Sequence, residues 1–170
     1  MDERPTRAEV LLTVAYTVAA RSTCTRLHVG ALAAHDGRIL STGYNGAPTG
    51  TPHCTHPPTE VCQRSVHAEA NVVAYAARHG VSLLGSEIYA TDSPCYTCAC
   101  LLINAGVRSV VFHRRYRDDS GIRLLADVGV KVYHINTVNE EVPPSEDRNP
   151  FQIRLEEFIA SGDGEEAPQG

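Results

Sequence analysis

His67-Ala68-Glu69 and, further along the chain, Ser93-Pro94-Cys95-Tyr96-Thr97-Cys98 are the two strings on which the reading of this sequence turns. Together they offer one imidazole, two thiols and a carboxylate that need not bind metal. Zinc takes neutral imidazole and thiolate ligands, and a catalytic site keeps its fourth tetrahedral position open for water. With His67, Cys95 and Cys98 as ligands, that position stays open. Two thiolates already cancel the formal charge of Zn2+, so a carboxylate within reach is needed to carry the proton of the water. Glu69 fits that catalytic role. A C-x-x-C pair alone also reads as a redox couple or as half of a structural zinc site. The order of the two strings, and the proline before the first cysteine, favour a catalytic centre.

Both strings open helix-like runs. His67 starts an alanine-rich stretch that ends at Gly80, and Cys95 starts a second that Gly106 stops. Ligands at helix N-termini lie in the positive end of the helix, which favours thiolate over thiol. Residues two apart do not share a face of a regular helix. His67 and Glu69 therefore converge only if the helix begins there, in its first turn.

Outward from these runs, Val10, Leu11, Val14, Ala15 and Val18 have helical spacing and predict a helix over 6–22. Segments 28–35 and 38–44 flank Asp36-Gly37, a hairpin signal. Strands are expected at 87–91, 109–113 and 130–135, with a basic loop over 114–121 and a short helix over 122–128. This order predicts a three-layer α/β domain with a mixed five-stranded sheet flanked by helices, its first two strands antiparallel and the later three parallel. Residues 45–64 are rich in Gly, Pro, Thr, His and Cys, lack periodicity and are too long for an ordinary connection. The domain is expected to occupy residues 1–140. Residues 141–170 read as linker, a short terminal helix over 151–159 and a disordered tail.

At 170 residues the chain suits one domain with a real core, and its net charge of −5 argues against a general nucleic-acid binder. The charged start, Met1-Asp2-Glu3-Arg4, is unlike a signal peptide, and the apolar run 10–20 is too short to span a bilayer. No membrane partner and a cytoplasmic location are the expectations. In that compartment six cysteines read as metal ligands rather than disulfides.

Further strings run in a recognisable order: Arg21-Ser22-Thr23-Cys24, Val29-Gly30-Ala31, Asp36-Gly37-Arg38, Gly43-Tyr44-Asn45-Gly46 and Ile103-Asn104-Ala105-Gly106. With the two metal strings they make the chain resemble the deoxycytidylate (dCMP) deaminases over roughly residues 8–135. The resemblance implies a cytidine-deaminase-like fold and the hydrolysis of dCMP to dUMP and ammonia, supplying thymidylate synthesis. By the same carry-over His67, Cys95 and Cys98 hold zinc and Glu69 shuttles the proton. Asn45, Ser93 and Tyr116 meet the bound nucleotide. For its phosphate, guanidinium chemistry favours Arg115, with Arg26 comparable and Arg114 and Arg117 also near. The resemblance further implies a homo-oligomer, a hexamer being commonest. It also implies dCTP activation and dTTP inhibition at Gly43, Tyr44, Asn45 and Gly46, with Mg2+ accompanying the triphosphate. Competing readings are a 5-modified dCMP, cytidine, another cytosine nucleotide, tRNA adenosine or a riboflavin-pathway intermediate as substrate. A non-catalytic zinc module is a rival of another class, against which the non-ligand Glu69 argues.

Cys24, Cys54 and Cys62 are left over, the last two beside His53 and His56. Three cysteines and one histidine can close a structural zinc site that contributes folding energy; the alternative is three buried reduced thiols. Some microbial members of the resembling family hold a second zinc through positions matching Cys24 and Cys54. Cys62, and His56 with His53 as substitute, complete the set from the local sequence. Cys100 is expected to be a small core residue.

Overall fold

Thr6 opens the first helix, α1 (Arg7–Ala19), through a reciprocal cap. Its hydroxyl accepts from Glu9 N–H at 3.3 Å, and the Glu9 carboxylate accepts from Thr6 N–H at 2.6 Å. A hairpin follows, β1 (Gly30–His35) and β2 (Arg38–Tyr44). Asp36 and Gly37 form its two-residue turn with φ of 49° and 75°, the left-handed pair that matches strand twist. The computed structural model describes residues 5–136 and the short strand at 154–156. The remaining elements are α2 (Ala68–Arg78), β3 (Glu87–Asp92), α3 (Tyr96–Asn104), β4 (Ser109–Arg114), α4 (Ser120–Asp127), β5 (Lys131–Asn136) and β6 (Arg154–Glu156).

The sheet runs β2-β1-β3-β4-β5-β6. β1 is antiparallel to both β2 and β3, while β3, β4 and β5 are parallel, as the sequence predicts for those five. β6 corrects the expectation of a terminal helix over 151–159: Arg154–Glu156 pairs antiparallel with β5. The reason lies in Phe151-Gln-Ile-Arg-Leu-Glu156, which alternates apolar and polar with period two, and in the open hydrogen-bonding edge of β5. The linker expected from 141 to 149 and the tail expected beyond 159 lie outside the described residues.

Alternation along the strands divides the core between the two faces of the sheet. On one face Leu11, Leu12 and Ala15 of α1 pack on Leu32, Tyr89, Val111 and Tyr133. On the other, Val72 of α2, Leu102 of α3 and Leu125 of α4 pack on Ile88, Val110 and Phe112. Gly43 lets α2 close on the sheet: a Cβ there would stand 2.3 Å from Ala68 O and 2.7 Å from Val72 N. This contact sets the start of α2 beside the end of β3, where the two metal-reading strings meet. Among the described residues, no helix is long and apolar enough to cross a membrane.

Candidate metal centre and pocket

His67 is the N-cap of α2 and Cys95 the N-cap of α3, both with extended backbone and neither using its side chain to cap the helix. Each side chain is thereby left to face the other. His67 Nδ1 lies 3.4 Å from Cys95 Sγ and 3.5 Å from Cys98 Sγ. These ligand atoms all fall within 4.8 Å of one another. Glu69 sits in the first turn of α2, as its convergence with His67 requires, and is only 4% exposed.

Hydrogen bonds from Cys98 and His67 hold the Cys95 thiol down at about 4. The bond to Cys95, and then burial, push the Cys98 thiol up. Burial raises the Glu69 carboxyl to about 7, with its own backbone N–H and His67 acting in the opposite sense. A buried carboxylate beside two thiols and an imidazole whose donor atoms converge fits a three-ligand zinc site with an attendant base. Of the four, Glu69 and Cys98 are buried, Cys95 is half-buried and His67 is exposed, so the set opens to the surface on the His67 side.

The centre opens into a cleft of about 380 Å³ whose lining includes Glu69, His67 and Cys95, within the range of small-molecule sites. Five of the proposed nucleotide contacts line it: Arg26, Asn45, Ser93, Arg115 and Tyr116. Ser93 Oγ accepts from Tyr116 N–H at 2.7 Å, tying the loop after β4 to the metal strand. Asn45 is largely committed to the fold. Its Oδ1 accepts from Val29 N–H at 2.8 Å and Ser22 Oγ at 2.7 Å, and its Nδ2 donates to Leu27 O at 2.7 Å.

Of the basic loop, Arg115 and Arg117 reach the cleft. Arg114 does not, which removes it from the phosphate clamp. Its guanidinium donates to Asp92 Oδ2 at 2.8 Å and to His28 O at 3.2 Å and lies 5.9 Å above the Tyr16 ring. Arg117 lies 5.7 Å from the centroid of the Tyr116 ring. Sequence reasoning missed Asp92, an 8% exposed pocket carboxylate whose Oδ2 also accepts from Thr91 Oγ1 at 2.7 Å. Its place at the end of β3, just before Ser93-Pro94-Cys95, was the available signal. Val61 and Ser65 were also missed, and the unperiodic loop carries no signal for them.

Gly43, Tyr44, Asn45 and Gly46 run from β2 into the loop. Gly46 pairs with Val66, and a Cβ on it would lie 2.4 Å from Thr23 Oγ1. Both glycines are thus required by close packing, whatever else binds there.

A second group of donors gathers beyond the pocket wall. Ligand atoms of Cys24, Cys54, His56 and Cys62 lie within 4.8 Å of one another. Cys54 Sγ is 3.4 Å from Cys62 Sγ, and Cys24 Sγ is 3.9 Å from His56 Nε2. His56 Nδ1 bonds Pro57 O at 2.9 Å, which leaves Nε2 facing the thiols. Burial acts to raise the Cys62 thiol, but hydrogen bonds from Arg64 N–H, Cys54 and Ser65 N–H hold it below its ordinary value. Three thiols and one imidazole in this arrangement suit a closed four-ligand zinc site. His53 is exposed and outside the group. Cys100 is half-buried rather than a fully enclosed core residue.

Residues 5–114 match the sequence model of the cytidine and deoxycytidylate deaminase zinc-binding region. The chain is 36% identical over 124 residues to the deoxycytidylate deaminase of Mycobacterium phage D29, covering 64% of this chain and 95% of that one. It is 35% identical over 119 residues to ComE operon protein 2 of Bacillus subtilis, covering 68% of this chain but 63% of the relative. Among solved structures, the dCMP deaminase of cyanophage S-TIM5, in complex with dCMP and dUMP, superposes with a TM-score of 0.72 at 33% identity. That likeness covers 77% of this chain and 98% of the phage enzyme.

Proposed function

This chain belongs to the cytidine and deoxycytidylate deaminase family, and from that membership we propose that it hydrolyses dCMP to dUMP and ammonia. The observation that carries the reading is Glu69, a buried carboxylate that is not needed as a ligand, facing the cleft beside His67, Cys95 and Cys98. Zinc held by those three side chains supplies Lewis-acid activation of a water molecule. Glu69 takes one proton from the attacking water and delivers it to ring nitrogen N3. It then takes the second from the new C4 hydroxyl and passes it to the amino group, which leaves as ammonia as the C4 carbonyl forms. A carboxyl near 7 suits a group that accepts and returns a proton around neutral pH. Burial of Glu69 excludes bulk solvent from these transfers.

Arg26 and Arg115 flank the same cleft and take the 5′-phosphate, with Tyr116 beside them. Ser93 and Asn45 border the base and sugar. Cys24, Cys54, His56 and Cys62 hold a second, structural zinc, supported by their shared donor geometry. Thiolate ligands require reduced cysteines, which fits a reducing cytoplasmic setting. The exposed apolar side chains Tyr96 and Leu101 on α3 support a homo-oligomer, a hexamer by resemblance to the family. The same resemblance extends to dCTP and dTTP, with Mg2+, acting at Gly43, Tyr44, Asn45 and Gly46.

An absorbance assay offering dCMP, cytidine, dCTP and a tRNA stem-loop separately tests the reading. dCMP should be deaminated with the highest kcat/KM, and Glu69→Ala should keep its zinc yet lose turnover by about a thousandfold or more. Preference for cytidine or the stem-loop would overturn the substrate. Normal turnover by Glu69→Ala would overturn the proton shuttle.

A further inference from the structure

The second cluster and the nucleotide cleft share a wall. Cys24 and Cys62 belong to the cluster and also line the cleft, whereas Cys54 and His56 belong to the cluster alone. Arg26 stands two residues after Cys24, and Val61 directly precedes Cys62; both line the cleft. The strip from Ser22 to Val29 has no helix or strand of its own. Ala47 N–H donates to Thr23 Oγ1 at 3.1 Å and Arg114 donates to His28 O at 3.2 Å, and two further anchors lie on either side of Arg26. At one, the Asn45 amide bonds Ser22, Leu27 and Val29. At the other, Cys24 meets the cluster and Thr25 Oγ1 donates to His56 O at 2.7 Å. Arg26 lies between these anchors. The sulfur contacts of the cluster, 3.4 and 3.9 Å, are weak compared with zinc bonds of about 2.0–2.3 Å.

We propose that the metal held by Cys24, Cys54, His56 and Cys62 is a working part of the nucleotide site. By fixing the wall that carries Arg26 and Val61, its occupancy sets affinity for the 5′-phosphate of the nucleotide. The inference rests on the second-zinc reading above. It assigns Cys24 and Cys62 a positioning role, exerted through Arg26, in addition to metal binding.

The test uses the full chain and the product dUMP, which binds without turning over. Zinc content and dUMP affinity are measured by metal analysis and calorimetry for the wild type, His56→Ala, His56→Cys and the control Cys100→Ser. His56 belongs to the cluster but does not line the cleft, so its loss removes no pocket atom. The expected results are two zinc equivalents in the wild type, and about one in His56→Ala with dUMP binding about tenfold weaker, the order of one lost phosphate contact. Zinc titrated into His56→Ala should restore affinity, and His56→Cys should retain both metal and affinity. Deoxyuridine, which lacks the phosphate, should lose little between the same proteins.

Should His56→Ala fail to fold, the wild-type protein still answers, because coupling between two sites is reciprocal. With cadmium in place of zinc, the three-sulfur and two-sulfur sites give separate cadmium NMR signals. At equilibrium, bound dUMP should raise the chelator concentration that removes half of the three-sulfur signal about tenfold, and an unchanged midpoint refutes the coupling. A wild type with a single zinc at His67 overturns the second-metal reading and the coupling with it. Loss of the second zinc with dUMP affinity unchanged overturns the coupling alone.

Discussion

Replacing Glu69 with glutamine should change the pH dependence of folding in a direction fixed by its burial. In the metal-stripped protein the Glu69 carboxyl rises from 4.5 to about 7 because folding takes it out of water. Below the unfolded value both states are protonated and the group costs nothing. As pH climbs from about 4.5 to about 7, the unfolded chain ionises first and the folded state loses stability relative to it. Above about 7 the loss is complete. At 1.36 kcal/mol per pH unit the total is about 3 kcal/mol. Glutamine cannot ionise, so Glu69→Gln escapes that loss. Beside the hydrogen bond to Cys95, the Glu69 charge pushes up both His67 and Cys98, so the difference also carries their response to its removal. The assay is urea unfolding of both chelator-treated proteins at several pH values between 4 and 8.5. The stability of Glu69→Gln minus that of wild type should rise by about 3 kcal/mol across the window, whatever constant offset the amide introduces. A flat difference would refute the argument that desolvation governs this carboxyl, and with it the physical basis for a neutral-pH proton shuttle.

Arg115→Ala should raise KM for dCMP about tenfold or more while changing the activity on deoxycytidine little, because a guanidinium–phosphate contact exists only in the nucleotide; equal losses on both substrates would remove Arg115 from the phosphate site. Cys98→Ala should purify without the zinc of the catalytic centre, as seen by metal analysis, since Cys98 is one of three converging donors. Phe112 is fully buried between the sheet and its helices, so Phe112→Ala should cost about 3–5 kcal/mol in urea unfolding. Thr6→Ala breaks the reciprocal cap of α1 and should cost about 1 kcal/mol, visible as a small loss of thermal stability without loss of zinc.

What local sequence can specify, it specified here. Alternation, helical spacing and the Asp36-Gly37 turn determined the order helix, hairpin, helix, strand, helix, strand, helix, strand, because each signal spans only a few neighbouring residues. His67 and Glu69, with Cys95 and Cys98, were legible because ligand types and their spacing at helix starts are themselves local. Other choices needed the folded chain. His56 rather than His53 joins the cysteines, and no spacing rule separates two histidines in an unperiodic loop. Arg114 turns to Asp92 while Arg115 lines the cleft, because alternate residues at a strand end face different surroundings. The alternation in 151–156 favours a strand, yet only the open edge of β5 gives that strand hydrogen-bonding partners. The wall shared by Cys24, Cys62 and the cleft joins residues far apart in sequence. Such a juxtaposition depends on how two loops pack over the sheet, which the order of residues along either loop does not encode.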